Sequence, residues 1–513
     1  MLNAWQPDGN RAIGRFIDPT WNEQSEEWLQ LDARLPPDHL ARRIDRVVQC
    51  LDLTPLIDSY AGVGRKALPP DLMVKIVLYE IHSKKLSPAQ WSRDVREHEP
   101  LRWLARGVAP SRTRLYEFRN RIAPYVDDWN AATLARAIDE NVTPVCRGAL
   151  DGSFVAAAAS RRQLANEQRL TRRRRLVQAA LLGQLQNCER PDWLASTLPG
   201  LARQKRTYDG AAYILCGRLE LNQRRRSCKR KPPDKVLVSL TDPESALGRD
   251  KFDVFRPLYN VQLLCDLDSP LILSYDTLAI THDAGQVGPM LERTADLTGR
   301  KVSQLLADSG YVSLRDVETC ETAGVELFAP WQENSYSEKL GKKKASNQFT
   351  QIPKTEFLWR TEEQTFVCPE GHRLQFQSTK KERRLDYDVT LRLYACPPEY
   401  CCACLRQTEC TPRPEKGRTV SRLENEELLD SLRERMQTPE AKTLYKLRAR
   451  TVELAYADMK EHRGLRRFRS RSLLRARTQV ALVVLVHNLL TVDRILDQRL
   501  VEDKTVVTLT AVA

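Results

Sequence analysis

The chain has 513 residues, and its 81 Lys and Arg outnumber its 67 Asp and Glu, so the formal charge is +14. With a pI near 9.2, this charge favours a polyanionic partner. The longest strongly apolar run, Val480 to Val486, is far shorter than the roughly 20 residues of a membrane-spanning helix, and the N-terminus lacks a secretion-signal pattern. Thirteen scattered cysteines, an odd number, argue for a reducing compartment and against a disulfide framework. We therefore expect a cytoplasmic protein of about two to four domains without a membrane partner.

Residues 1–125 are predicted to form a separate helical domain. Pro36-Pro37-Asp38-His39 is typical of a helix start, and Pro110-Ser111 is expected to cap a later helix that runs from Leu115 to Ile122. Arg114, Arg119 and Arg121 are expected to be exposed on that helix. A capped, arginine-bearing helix can enter a DNA groove, which makes Arg119 a candidate DNA contact. The alternative is a helical bundle that only supports the next domain.

A catalytic core is predicted to begin near residue 142 and to continue to residue 333. Its first strand is expected over Val145 to Ala158, with Asp151 in the middle or at the end. Strand patterns return at Val236 to Leu240, Tyr259 to Asp266 and Leu271 to Ile280.

The second half of this core is predicted to alternate helix and strand. His282-Asp283 is expected to cap a helix through Pro289 to Leu297, and the apolar run Val302 to Ala307 is expected to be a buried strand that ends at Asp308. This order predicts an α/β fold with carboxylates at strand ends.

A strongly basic insert, residues 160–235, interrupts the core. Charge runs are usually solvated helix faces, but this one is so one-sided that contact with the DNA backbone is favoured. The candidate contacts are Arg172, Arg173, Arg174 and Arg175.

Residues 334–418 are predicted to form a small β insertion rich in cysteine. The insertion begins with a Lys-rich loop, Lys339 to Lys344, and continues as short β segments. Cys401 and Cys404 have the spacing of tetrahedral metal ligands, and Cys368 and Cys410 can complete four thiolates around zinc. Otherwise these residues are reduced cysteines that pack the insertion, or a zinc site that has been lost.

Residues 419–500 are predicted to be helical and to complete the core. A helix that starts at Thr438-Pro439-Glu440 carries Glu453 and Lys460, which point about 20° apart on an ideal helix. Buried positions of this helix, at Val452, Tyr456 and Met459, are expected to dock on the sheet. The plain alternative for Glu453 is a surface acid paired with Arg450 or Arg448.

Asp151, Asp308 and Glu453 lie on three separate elements of a basic chain. Three such carboxylates suggest a metal site that acts on phosphate.

Several sequence motifs together resemble one family, the bacterial insertion-sequence transposases of the DDE type whose third carboxylate lies in a Tyr-Arg-Glu-Lys signature helix. The motifs that carry the resemblance are Pro36-Pro-Asp-His39, Pro110-Ser-Arg-Thr-Arg-Leu-Tyr-Glu-Phe-Arg119, Leu150-Asp151-Gly-Ser, Thr241-Asp242-Pro243, Tyr259-Asn-Val-Gln262, Ala307-Asp308-Ser-Gly-Tyr311, and Val452-Glu453 with Lys460, Gly464 and Phe468. The cysteine insertion also resembles a Cys-Pro-x-Gly and Cys-x2-Cys pattern in such proteins.

The resemblance implies a ribonuclease-H-like core in which Asp151, Asp308 and Glu453 bind two divalent ions, normally Mg²⁺, with Mn²⁺ able to substitute. It also implies binding of double-stranded DNA, both terminal inverted repeats and target, by a homodimer associated with the nucleoid. The residues implied to hold DNA phosphate beside Glu453 are Tyr445, Arg448, Arg450 and Lys460.

The chain departs from the family signature in two places. Tyr445 and Arg448 each lie one residue farther from Glu453 than in the usual form, and Asp308 is followed by Ser-Gly-Tyr where many relatives have Ala or Lys before Gly-Tyr. Two other functions are compatible with these motifs: a non-catalytic DNA-binding descendant of a transposase, and a ribonuclease-H-like nuclease that cuts DNA without joining it.

Overall fold

The computed structural model describes residues 15–62, 64–185, 190–225, 227–330, 352–384 and 387–512. The chain forms two compact units: unit 1 holds Met1–Leu306 and Lys446–Ala513, and unit 2 holds Ala307–Tyr445. The four predicted domains remain predictions.

In the part of the chain that the structure describes, unit 1 begins with eight helices. They are α1 (Glu26–Arg34), α2 (Leu40–Val48), α3 (Thr54–Asp58), α4 (Pro70–His82), α5 (Pro88–Glu97), α6 (Glu99–Leu104), α7 (Arg112–Ile122) and α8 (Val126–Asp139). The predicted helix starts are confirmed, because the His39 side chain caps α2 and the Ser111 side chain accepts a hydrogen bond from the backbone N–H of Arg114 at the start of α7. The predicted exposure of Arg119 is wrong. Arg119 is 8% exposed and donates a hydrogen bond to Ser470 Oγ at 2.9 Å, because α7 packs with this face toward the C-terminal segment.

The sheet of unit 1 follows. Its strands are β1 (Arg147–Ala156), β4 (Ala246–Arg249), β5 (Phe255–Asp266), β6 (Ile272–Leu278) and β7 (Gln304–Ala307), and two short strands, β2 (Leu164–Ala165) and β3 (Val238–Ser239), pair with each other beside it. The order in the main sheet is β4, β5, β1, β7, with β6 also pairing with β5. Strand β1 runs antiparallel to β5, with Asp151 opposite Leu263 and Gly152 opposite Gln262. The mixed α/β fold class is confirmed and is consistent with a ribonuclease-H-like core.

The basic insert contributes two helices between β2 and β3, α9 (Glu167–Leu181) and α10 (Leu198–Gln223). These helices bury a core of their own, whose members include Leu170, Val177, Tyr208 and Leu215. The insert is therefore a packed helical element with its charges displayed around that core.

Helix α11 (Val287–Thr298) follows β6 and begins after Gln286, with no side-chain cap. The prediction that His282-Asp283 caps this helix is wrong. Asp283 accepts hydrogen bonds from two side chains of β5 instead, and this tertiary contact takes precedence over the local capping signal.

The described residues of unit 2 contain the remaining strands and, before residue 439, four helices. The helices are α12 (Leu314–Ala323), α13 (Pro398–Cys402), α14 (Gln407–Cys410) and α15 (Glu426–Gln437), and the strands are β8 (Glu326–Phe328), β9 (Leu358–Arg360), β10 (Thr365–Val367), β11 (Gln375–Arg384), β12 (Tyr387–Ala395) and β13 (Thr419–Leu423). Strands β11, β12 and β13 form one antiparallel sheet, and β9 pairs with β10. The predicted Lys-rich loop, Lys339 to Lys344, lies outside the described residues.

The chain returns to unit 1 within α16 (Pro439–Arg448). A π-helical turn, Ala449–Glu453, continues into α17 (Leu454–Ala457) and a second π turn, Asp458–His462. The predicted docking positions of this segment are confirmed as buried: Val452, Tyr456 and Met459 are 0%, 8% and 1% exposed.

The last helix, α18, covers Leu473–Val512, so the frayed tail predicted from Thr505 is wrong. By length and composition, one helical stretch among the described residues, Leu473–Glu502, could cross a membrane. Its apolar window is 78% buried within the protein, however, and the core helix of a globular protein passes the same test.

Candidate active site

Asp151 lies in the middle of β1, and Arg448 at the end of α16 reaches it. The distance between a guanidinium nitrogen of Arg448 and Asp151 Oδ1 is 2.8 Å, and the two side chains are 15% and 20% exposed. An ion pair this sheltered from water is screened less than a surface pair. Arg448 Nε is buried and has no hydrogen-bond partner among the described residues.

The helix that carries Arg448 has a π turn at the position of its acidic residue. In a π turn each hydrogen bond spans five residues in place of the four of an α-helix, so the turn holds one additional residue. The turn Ala449–Glu453 begins directly after Arg448 and ends at Glu453. One residue is also the difference between the Arg448–Glu453 spacing and the signature that the sequence resembles. Glu453 itself is exposed, and its turn packs against β1 and β5.

Two further residues of this helical segment anchor it on the Asp151 face of the sheet. Tyr456 donates through its hydroxyl to the backbone oxygens of Asp151 and Val261, at 2.8 Å each. Lys460 Nζ hydrogen-bonds to Ser153 Oγ, two residues along β1 from Asp151. Burial, and secondly the charge of Lys251, lowers the pKa of Lys460, while the Asp151 carboxylate opposes that change.

On the opposite face, Gly152 is covered by a polar cluster that sequence reasoning missed. Asn260 and Gln262, both 0% exposed, each donate an amide N–H to Asp283 Oδ1 at 2.7 Å. A Cβ on Gly152 would lie 2.3 Å from Asp283 Oδ1, so only glycine leaves room for this carboxylate. The sequence signal that could have predicted this cluster is the pair of amides at alternate positions of an otherwise apolar strand. Polar residues inside a buried strand require hydrogen-bond partners.

Asp308 follows β7 directly and belongs to unit 2. It is half-buried, and its Oδ1 accepts a hydrogen bond from the backbone N–H of Gly310 at 2.7 Å. This contact starts the short helical turn Ser309–Tyr311, as the Ser-Gly pattern predicted. Asp151 and Glu453 belong to unit 1.

The candidate carboxylates have the chemistry of ligands for divalent ions. Carboxylate oxygens are the ligand type that Mg²⁺ prefers. Asp151 is paired with Arg448, however, and within the described residues no group of three or more His, Cys, Asp or Glu is placed to hold a metal ion. The proposed binding of Mg²⁺ therefore remains a prediction.

The candidate DNA contacts are not equally available. Arg173 is 8% exposed, hydrogen-bonds to Tyr208 and stacks on Trp193, which makes it part of the core of the insert. Arg174 pairs with Asp209 at 2.7 Å. Exposed members of the predicted set are Arg172, Arg174, Arg175 and Arg450, whereas Tyr445 and Lys460 are half-buried.

The cysteines of unit 2 gather around a small cavity of about 30 Å³. Its thiols come from the predicted zinc ligands Cys368, Cys401, Cys404 and Cys410, joined by Cys396, which sequence reasoning left out. Burial raises the pKa of Cys396 and of Cys410, which disfavours free thiolates.

As described, these thiols form no group that could hold a metal ion, so zinc also remains a prediction. If zinc is bound, elemental analysis of the purified protein will find about one ion per chain. The substitution Cys404→Ser will then remove it, and Cys228→Ser, at an exposed position, will not.

Comparison with known proteins gave two family matches. The family model described as Transposase DDE domain matches residues 367–492, and the model described as Transposase domain (DUF772) matches residues 29–121. No curated protein matches the chain.

Both matches, together with the α/β fold, support an insertion-sequence transposase of the DDE type, the family that its sequence motifs resemble.

Proposed function

We propose that this protein binds the terminal inverted repeats of its own insertion sequence, cuts the DNA strands at their ends and joins them to a target. The observation that carries the proposal is the position of Asp151 in the middle of β1, facing a helix that brings Arg448 to its carboxylate and Lys460 to the neighbouring Ser153. A carboxylate with cations beside it is suited to chemistry on a phosphodiester, because those cations can stabilise the negative charge of the phosphate.

The proposed catalytic residues are Asp151, Asp308 and Glu453, and cleavage is proposed to require Mg²⁺ or Mn²⁺. Asp151 is positioned through its backbone by the Tyr456 hydroxyl. Arg448 and Lys460, with exposed Arg450 and half-buried Tyr445, are proposed to contact DNA phosphate. The guanidinium of Arg448 can exchange the carboxylate of Asp151 for a phosphate, since it binds either anion in the same geometry.

The proposed organisation follows from the sequence pattern: an N-terminal DNA-binding domain over residues 1–125, a core over 142–333 and 419–500, and a cysteine-rich insertion over 334–418. An element has two ends, so we propose that a homodimer acts on them. Its proposed location is the cytoplasm, in association with the nucleoid.

The test is a strand-transfer assay with purified protein and a duplex carrying the ends of its element, with and without Mg²⁺ or Mn²⁺. Joined products that require the ion, and that Asp308→Asn does not form, are the expected result. Hydrolysed ends without joined products would identify a nuclease of the same fold.

A second candidate function, a non-catalytic DNA-binding descendant, is favoured by one observation. The Asp151 carboxylate is already paired with Arg448, and the described residues present no metal-binding group. Specific binding of the ends without cleavage, at any concentration of Mg²⁺ or Mn²⁺, would establish this second function and exclude the first.

A further inference from the structure

The positive charge of the chain is concentrated in the basic insert. Residues 160–235 contain 19 Lys and Arg against 6 Asp and Glu, a net charge of +13 out of +14 for the whole chain. The remainder of the protein is therefore almost neutral. A polyanion attracted by the charge of this protein is attracted to the insert.

Part of this charge is used inside the insert. Arg173 is buried against Tyr208, and Arg174 and Lys205 share the carboxylate of Asp209 at 2.7 and 2.9 Å. These cations stabilise the packing of α9 on α10. Cations without acidic partners must supply the binding surface.

The outer face of α10 carries such cations. Arg206 and Tyr213 of α10 and Arg224, the residue that follows its C-terminal end, are separated by 7 and 11 residues, so they form one stripe about 27 Å long on the side opposite the buried Tyr208. Tyr213 is 81% exposed. Added Cβ atoms on Gly210 and Gly217, which flank Tyr213 on this face, would meet nothing within 4 Å, so a ligand can approach the helix backbone closely there.

We propose that the outer face of α10, defined by Arg203, Arg206, Tyr213 and Arg224, is the main surface of this protein for the DNA backbone. The three arginines contact phosphates on one side of a duplex, and Tyr213 packs on the sugars between them. None of the three arginines has an acidic partner in the described part of the chain. The proposal rests on the proposed function only in taking DNA as the polyanion.

The alternative to DNA as the partner of this face is self-association, in which α10 of a second copy of the chain packs against it. Two inserts that each carry +13 would repel each other on close approach, whereas DNA releases counterions when arginines neutralise its phosphates. Glu220, exposed on the same face four residues before Arg224, cancels one of the three arginine charges, so the face keeps a net charge of +2. Charge therefore favours DNA over self-association.

The test measures binding without cleavage. Fluorescence anisotropy records the affinity of the full-length protein for a duplex of about 30 base pairs of unrelated sequence, in EDTA, from about 50 to 200 mM salt. The variant Arg203→Gln/Arg206→Gln/Arg224→Gln is compared with Lys301→Gln/Lys416→Gln/Arg494→Gln, which removes three exposed positive charges elsewhere. Circular dichroism and sedimentation of all proteins check folding and oligomeric state.

Three lost phosphate contacts should lower the slope of log affinity against log salt by about 2.7, while the control variant keeps the wild-type slope. Tyr213→Ala should weaken binding without changing the slope, because tyrosine carries no charge. Equal slopes for the two triple variants overturn the proposal. A changed oligomeric state with unchanged DNA binding also overturns it and assigns the face to a second copy.

Failure of this proposal and failure of the proposed function are distinguishable. Wild-type protein that binds DNA through α10 and never cleaves it contradicts only the proposed catalysis. If the wild-type protein forms joined products and the α10 variant keeps normal affinity and salt slope, these results contradict only the surface proposed here.

Discussion

The guanidinium of Arg448 lies 2.8 Å from the carboxylate of Asp151, although 297 positions of sequence separate the two residues. The pair joins the middle of β1 to the helix that carries Glu453, and both side chains are largely sheltered from solvent. Arg448 therefore neutralises the one proposed catalytic carboxylate that lies inside the sheet. If a DNA phosphate replaces Asp151 as the partner of the Arg448 guanidinium, DNA binding frees the Asp151 carboxylate from this ion pair.

Arg448→Gln should strengthen the binding of Mn²⁺ by the DNA-free protein. Removing a unit positive charge beside Asp151 favours a cation there, and we expect about a tenfold gain in affinity, equivalent to about 1.4 kcal/mol. Isothermal calorimetry measures this change directly. Arg450→Gln, an exposed position two residues away, serves as the control and should change Mn²⁺ affinity little. Equal affinities for wild type and Arg448→Gln would show that Asp151 binds no metal ion in the free protein.

Asp151→Asn, Asp308→Asn and Glu453→Gln should each abolish DNA cleavage and leave binding of the ends nearly intact. Each substitution removes a proposed metal ligand and keeps the size of the side chain, without removing a phosphate contact. A gel assay for cleavage and a binding isotherm on the same duplex separate the two effects. Normal cleavage by any one variant removes that residue from the proposed site.

Gly152→Ala should destabilise the protein by about 1–3 kcal/mol, because its Cβ would lie 2.3 Å from Asp283 Oδ1 and 2.5 Å from Gln262 Nε2. Both of those atoms are held in place by their mutual hydrogen bond. Chemical denaturation measures the change in the free energy of unfolding.

Gly210→Ala is the matched control for this substitution. A Cβ on Gly210, in the middle of α10, would meet nothing within 4 Å, so alanine should stabilise the helix by about 0.5–1 kcal/mol. Similar free energies of unfolding for the two variants would contradict the close approach of Asp283 to Gly152.

Glu80→Gln should stabilise the protein above neutral pH. Glu80 is 0% exposed in α4, and neither carboxylate oxygen has a hydrogen-bond partner in the described part of the chain. Burial raises the pKa of Glu80 to about 7; Lys85 opposes this shift and Asp94 adds to it.

Because the folded protein holds this proton to a higher pH than the unfolded chain does, the stability due to Glu80 is complete below the ordinary pKa of 4.5. It falls as the pH rises through about 7. The expected gain from Glu80→Gln is about 3 kcal/mol at pH 8 and nearly none at pH 4. Unfolding curves at both pH values test this, with exposed Glu97→Gln as the control. A gain of equal size at both pH values would rule out titration of Glu80 as the cause.

Much of the fold followed from local sequence signals. The Ser111 cap predicted the start of α7, and the apolar run before Asp308 predicted β7, because capping and alternation act over a few neighbouring residues. The resemblance to the family could also be recognised from the sequence, because its motifs are short and lie on the elements that the patterns predicted. The net charge predicted a polyanionic partner without any knowledge of the fold.

The roles of individual side chains depended on contacts between distant parts of the chain. Arg119 and Arg173 have the sequence context of exposed cations, yet packing buries both of them. Asp283 resembles a helix cap, but the amides of β5 bind it.

Local patterns report which residues share a face of one element, and they contain no information on what packs against that face. The pairing of Asp151 with Arg448, the shelter of Gly152 and the exposure of Tyr213 are therefore properties of the tertiary structure. They arise only when the strands and helices have packed, because burial and the distance between charges are defined by that packing.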